Sequence, residues 1–398
     1  MNVLIISSIP IFPISGGNRA RIHRLANSIK SLGHSVSFAY LPSRKVPIDV
    51  VAHEKYLDGG RFYFLKNAGV FGRLEMYFRN KLTSIVRNRL HRLGFKGFYY
   101  TDLDALFHSS WIEQISNIMH GVDVVVVEYV FNSKAFESVP QGVKKILDTH
   151  DSFSNRHETY FSQGLKSGYW ISLKPEDEIR GFCRADVVVA IQQAEAAMFR
   201  SRLFNTSSGC DTKVVTVSHS LDTSHPLSDY STNNVAMFLG SNNTSNRQAV
   251  EYLMDKIVPL ISKKLPEFKL LVVGEVGKYF SANENVEIIG YVDDVFKLYC
   301  QAPISLNPML SGTGIAIKLL EAMASGLPVV STETGARGLP ESYRNGVICF
   351  GDEDCNGFAE ATIELLRDED RRKKMGRRGY EDALRWNAEQ IDALNNCF

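Results

Sequence analysis

Short runs of consecutive apolar residues alternate along this chain with longer stretches in which apolar positions recur every three or four residues. Residues 3–7 form the first such run, and a loop containing Gly16 and Gly17 follows it. Over about 18–32, Ile22, Leu25, Ile29 and Leu32 keep the 3.6-residue period of a helix, and Gly33 ends it. Further runs at 36–41, 124–127, 145–147, 187–191 and 214–217 predict strands. They are continuously apolar rather than alternating, as expected of strands covered on both faces in a parallel sheet flanked by helices.

Residues 221–234 (LDTSHPLSDYSTNN) are polar and aperiodic, as in an interdomain linker. The alternation then starts afresh. Strands are predicted at 235–239, 269–273, 286–289, 304–306, 328–331 and 347–350, helices at 246–264 and 315–325, and a charged helical tail over 354–392. The pattern predicts an α/β protein of two Rossmann-like, doubly wound domains facing across a cleft, spanning 1–225 and 226–380. A last helix is expected at 381–398. In such sheets ligands bind outside the carboxyl ends of the strands.

Composition narrows the picture. The 398 residues hold 45 Lys plus Arg against 44 Asp plus Glu, a net charge of +1 that does not favour a nucleic-acid binder. No apolar run approaches the roughly 20 residues of a membrane span. The N-terminal run lacks a basic leader and a small-residue cleavage site, so it reads as a strand. Six dispersed cysteines without a C-x-x-C pair argue against a disulfide framework or metal site, and favour a cytoplasmic protein. One segment, 66–96, carries eight basic residues and one acid, Glu75, with Leu82, Ile85, Val86 and Leu90 near helical spacing. It is either a basic helix for an anionic membrane surface, which would make the protein peripheral on the inner face, or an ordinary solvated helix.

The strongest chemical signal lies at 307–330, where a strand enters a glycine-containing loop that opens into a helix. Such a loop brings backbone N–H groups to an anion. Lys318 and Glu321 share one face of the helix, suited to a diphosphate and to ribose hydroxyls; the alternative is a solvent-facing ion pair.

Residues 307–339 resemble the signature of glycosyltransferase family 4, the retaining, nucleotide-sugar-dependent GT-B enzymes. The resemblance extends through Phe238-Leu239-Gly240-Ser241, Asn246, Pro259, Pro266, Leu271-Val272-Val273-Gly274 and Gly290-Tyr291-Val292-Asp293-Asp294. It ends on Ser331-Thr332-Glu333-Thr334-Gly335-Ala336-Arg337-Gly338-Leu339, and is looser in the first domain, at Gly16-Gly17 and Gly33-His34-Ser35-Val36. Many family members carry two glutamates with seven residues between them; here Glu321 fills the second position and Thr313 the first. Many also carry an arginine and a lysine where this chain has Ser241 and Asn246. The chain resembles instead a branch with G-x-G-x-x-x-K-x-x-E.

The resemblance implies transfer of a hexosyl group from a UDP- or GDP-linked sugar to an acceptor hydroxyl, with retention and without a cofactor or divalent metal, in polysaccharide or glycoconjugate synthesis. The first domain would lie on the acceptor side, the second would bind the nucleotide sugar, and the helix at 381–398 would cross back to the first domain. Lys318 (perhaps with Arg247), Gly314 and the Gly16-Gly17 loop are the diphosphate candidates, and Glu321 the ribose candidate. Ser241, Gly274, Tyr291, Val292, Gly312, Thr313 and Ile315 complete the donor set. His150, in Asp148-Thr149-His150-Asp151 after a strand, is the candidate beside the transferred sugar; alternatively it caps the next helix. Glu128 is a second acidic candidate, and 155–158 (NRHE) is a candidate for acceptor hydroxyls. Asp102-x-Asp104 sits in no context that would hold a metal. A nucleotide-sugar 2-epimerase and a catalytically silent sugar-nucleotide-binding subunit are the competing readings. The acceptor, a glycan or glycolipid, is left open.

Overall fold

A computed structural model of the protein describes every residue except 15, 43–45, 67–98, 163, 165–168, 206–208, 225–232, 293–294 and 313–314. The basic segment beyond Lys66 and the middle of the linker therefore lie outside the described residues, as do Thr313 and Gly314.

The described residues form two compact units, 1–218 with 391–398, and 219–390. In the first, the elements run β1 (Asn2–Ser7), α1 (Gly17–Ser31), β2 (Ser35–Tyr40), α2 (Val50–Leu57), β3 (Phe62–Phe64), α3 (Ser110–Asn117), β4 (Val124–Glu128), β5 (Lys144–Asp148), α4 (Arg156–Ser162), α5 (Pro175–Phe182), β6 (Val187–Ala190), α6 (Gln193–Phe204) and β7 (Lys213–Thr216). The strands pair in parallel in the order β3-β2-β1-β4-β5-β6-β7. Val124 to Val127 are buried on both faces, as their unbroken run predicts. One face packs against α3, α5 and α6 through Leu4, Trp111, Ile179 and Phe199. The other packs Val3, Ile5 and Val126 against Ile22, Leu25 and Ile29 of α1, and against Leu394 and Cys397.

The second unit repeats the plan. It runs β8 (Val235–Leu239), α7 (Thr244–Tyr252), α8 (Val258–Ser262), β9 (Lys269–Val273), β10 (Val286–Gly290), α9 (Phe296–Tyr299), β11 (Ile304–Asn307), α10 (Ile317–Ala324), β12 (Val329–Thr332), β13 (Val347–Phe350), α11 (Cys355–Arg367) and α12 (Glu369–Asn395). The parallel order is β10-β9-β8-β11-β12-β13. Residues 369–390 of α12 belong to this unit and 391–395 to the first.

Two expected helices take a more detailed form, and one expectation needs correction. The helix predicted over 246–264 runs over 244–262 and contains a π-helical turn, Leu253–Ile257, between α7 and α8. Pro259 cannot donate a backbone hydrogen bond to the preceding turn, and the widened turn lies just before it. The tail is two helices that divide at Asp368. Cys183 and Cys210 form a disulfide, against the expectation of none. Their 27-residue separation hides the pairing, which β6 and β7 create by lying side by side; Thr212 Oγ1 also reaches back to Ala185 O at 2.8 Å. No described helix is long and apolar enough to cross a membrane.

Candidate functional site

In each sheet the strand order reverses once, and the loops leaving the two strands at that point open a crevice. In the first unit these strands are β1 and β4. β4 ends on Glu128, fully buried; β5, beside it, ends on Asp148, also buried. Gly16 caps α1 in extended conformation and Gly17 begins it. Arg21, one turn further, is buried with its guanidinium forked on Asp148: Nε to Oδ2 at 2.9 Å and Nη2 to Oδ1 at 2.6 Å. His150 Nε2 meets Glu128 Oε2 at 2.5 Å and lies 3.8 Å from Asp148 Oδ2. Its ring stacks on Tyr129, centroids 4.0 Å apart.

The electrostatics separate the two carboxylates. Burial alone would raise Asp148, but Arg21 and His150 outweigh it and hold Asp148 below the usual carboxylate range. Glu128 receives less help: burial and the charge of Asp148 push it up to about 7 against the pull of His150 and Arg21. Glu128, Asp148 and His150 offer ligand atoms within 4.8 Å of one another. Asp148 already carries a guanidinium, so the cation of this cluster is Arg21 itself.

Backbone strain gathers here. Five non-glycine residues among the described ones have positive φ, and four surround this cluster: Tyr129 (69°), His150 (62°), Asn155 (51°) and Trp170 (59°). Such conformations cost about 1–3 kcal/mol each and persist where packing enforces them, often at functional sites. Trp170 packs edge-on against Tyr129, Phe131 and Phe153. Of the 155–158 stretch, Arg156 is turned to Asp151 at 3.1 Å, His157 Nδ1 meets Ser172 Oγ at 2.6 Å, and Glu158 is exposed. Asp104 is engaged by the fork of Arg184, at 2.7 and 2.8 Å.

In the second unit the reversal falls between β8 and β11. Here the helices that follow those strands bring Asn246 of α7 and Lys318 of α10 together, Nζ donating to Oδ1 at 2.7 Å. Asn246 Nδ2 donates in turn to Ser241 O at 2.9 Å. Lys318 also lies over the Phe238 ring and near Met309 Sδ. Lys318 and Glu321 thus share a helix but not a partner: Glu321 approaches His219 Nε2 at 3.9 Å. Arg247 points elsewhere, to Asn242 Oδ1 and Thr244 Oγ1 and over Tyr279.

Glycines let the strand ends close up. Gly274 has φ +98, donates to Gly290 O at 2.6 Å, and would put a Cβ only 2.3 Å from Gly240 O. Past this junction Tyr291 is exposed and Val292 half-buried. Gly312 adopts φ +135, and Ile315 is buried just before α10. Ser311 Oγ ties this loop to α7 through Ser245 and Gln248.

Two topological crevices and a paired lysine and asparagine describe a place for an anion; the chemistry needs the sequence. Residues 233–368 match the model of the glycosyl transferases group 1 family. Two curated relatives each match about a third of the chain. N-acetyl-alpha-D-glucosaminyl L-malate synthase of Bacillus anthracis is 32% identical over 150 residues, 34% of this chain and 38% of the relative. The GDP-mannose-dependent monoacylated alpha-(1-6)-phosphatidylinositol monomannoside mannosyltransferase of Corynebacterium glutamicum is 32% identical over 142 residues, 31% and 36%. The matches thus span little more than a third of those relatives. The whole fold is similar to that of TarM from S. aureus, solved with fondaparinux, alpha-GlcNAc-glycerol and UDP. That likeness has a TM-score of 0.68 over 100% of this chain and 99% of TarM, at 11% identity. The fold is GT-B, two parallel-sheet α/β domains.

Arg21 is a residue of these sites that the sequence reading did not single out: it is one of three arginines in α1, with Arg19 and Arg24, and nothing in their spacing marks it.

Proposed function

We propose that the protein is a retaining, metal-independent glycosyltransferase that moves a hexosyl group from a nucleoside diphosphate sugar to an acceptor hydroxyl, in polysaccharide or glycoconjugate synthesis. The observation that carries this reading is the coincidence of the matched stretch, 233–368, with the crevice where Lys318 and Asn246 meet. In this reading the diphosphate lies at Lys318 and the glycine-bearing loop before α10, and Glu321 accepts from the ribose hydroxyls. Charge then develops on the departing diphosphate, and cations fixed in advance lower that barrier. His150, held by Glu128 and stacked on Tyr129, is the candidate of the first unit for the sugar-side chemistry, with Arg21 keeping Asp148 ionised beside it.

The test is a calorimetric titration of the protein with UDP, GDP and ADP, without and with Mg²⁺, repeated on Lys318→Ala and Glu321→Ala. One nucleotide is expected to bind without metal, and each substitution to weaken it about 10–100-fold, the worth of a charge-assisted hydrogen bond. Absence of binding to all three by the folded protein refutes the donor site. Binding without turnover of any nucleotide sugar refutes the transferase.

A further inference from the structure

The guanidinium of Arg337 lies directly over the bare backbone of Gly312: a Cβ there would stand 2.5 Å from Nη2 and 3.0 Å from Cζ. Arg337 reaches this position from the turn after β12, where Nη1 donates to Thr334 O at 2.7 Å. It therefore comes from a different strand end than Lys318, yet its charge is felt by Lys318. Burial first, and Arg337 second, hold the Lys318 ammonium well below the usual lysine range. Among the described residues the partners of Lys318 are all neutral: Asn246 Oδ1, Met309 Sδ and the Phe238 ring. The other charged groups on the surrounding elements are turned to their own partners. Glu321 on α10 approaches His219, Arg247 on α7 contacts Asn242 and Thr244, and Glu333 after β12 receives Arg344 Nη1 at 2.9 Å. Two basic side chains thus lie near the loop that opens α10, and an anion held by both would offset the burial of the lysine and the charge of the arginine beside it.

We infer that Arg337 is an anion-binding residue of the nucleotide-sugar site, acting with Lys318 on an anionic oxygen of the donor. The inference rests on the donor reading above. Two groups of such a donor have this chemistry, the diphosphate and, in a hexuronic-acid donor, the sugar carboxylate. An anion at this point favours the charged ammonium of Lys318 against its burial and the charge of Arg337, so the expected direction of proton linkage is uptake.

The experiment is titration of the whole chain at about pH 8, in two buffers of different ionisation enthalpy, with UDP, GDP and ADP. The nucleotide that binds is then tested as its hexose and hexuronate conjugates. The native protein is expected to take up protons on binding. Arg337→Gln should weaken binding about 10–100-fold and reduce the uptake, because one of the two influences that hold down the Lys318 ammonium is then gone. Arg337→Lys, which keeps the charge, should restore part of both, and it stands in should Arg337→Gln fail to fold. A loss already seen with the bare nucleotide assigns the diphosphate; a loss confined to the hexuronate conjugate assigns the carboxylate. Unchanged affinity and proton uptake in Arg337→Gln, with Lys318→Ala still impaired, overturn the inference and leave the donor reading standing. Absence of nucleotide binding by the native protein overturns both.

Discussion

Glu195 is buried beside the first sheet with Oε2 lacking a partner among the described residues. Burial and the nearby charge of Asp151 push its carboxyl up to about 8, against the pull of the Ser152 N–H. The fold prefers the neutral acid, so this contribution to stability is whole below the unfolded value near 4.5 and is lost as pH rises toward about 8. Glu195→Gln keeps the neutral shape. It should therefore raise stability at pH 8 by roughly 2–4 kcal/mol and flatten the pH dependence of the urea midpoint between 4.5 and 8. Glu128 gives a different readout because it faces His150. Transfer activity of the native protein should change around pH 7, where Glu128 exchanges its proton. Glu128→Gln should lower kcat by about tenfold or more and remove that inflection from the pH–rate profile. A profile that keeps its inflection in Glu128→Gln would assign it to another group. His150 and Asp148 were legible because a polar tetrad follows an apolar strand run. Arg21 was not, because one of three arginines in an amphipathic helix reads as solvent-facing until the sheet shows what lies above it.

Elements that bury two faces announce themselves as unbroken apolar runs, which is why β1, β4, β6, β8 and β9 were readable. β3 was not: three residues at a sheet edge make no run, and their register comes from β2. The widened turn between α7 and α8 was written in Pro259, but period alone carried the helix through it. The junction of β8, β9 and β10 is more demanding, because Gly274 needs both a positive φ and an absent side chain. Gly274→Ala should cost at least about 1–3 kcal/mol from conformation alone. It should also lower nucleotide affinity, read together as a melting temperature and a titration. The cap of α7, where Asn243 Oδ1 accepts from Asn246 N at 2.8 Å, is a milder case. Asn243→Ala should cost about 1 kcal/mol in thermal unfolding.

At the scale of the whole molecule, the restart of the strand–helix alternation after the polar stretch made two sheets readable from the sequence. The disulfide was not, since no local pattern says that β6 and β7 will be neighbours. The return of the last helix to the first domain was an expectation of the family resemblance, but that expectation named none of the side chains that bury Val3 and Ile5. Leu394 and Cys397, nearly inaccessible to solvent, do so. Leu394→Ala should destabilise the first unit by about 2–5 kcal/mol, measured by protease susceptibility of residues 1–218 against 219–390.

That arrangement has a temporal consequence. The ribosome makes residues 1–218 first, but the hydrophobic face they share with Leu394 and Cys397 stays open until residues 219–390, 172 of them, have also been made. At ordinary elongation rates that is about 10–30 s, long enough for the second unit to fold before the first is finished. The unit that begins the chain is thus the one completed last, and for that interval it is the part of the nascent protein most in need of a chaperone.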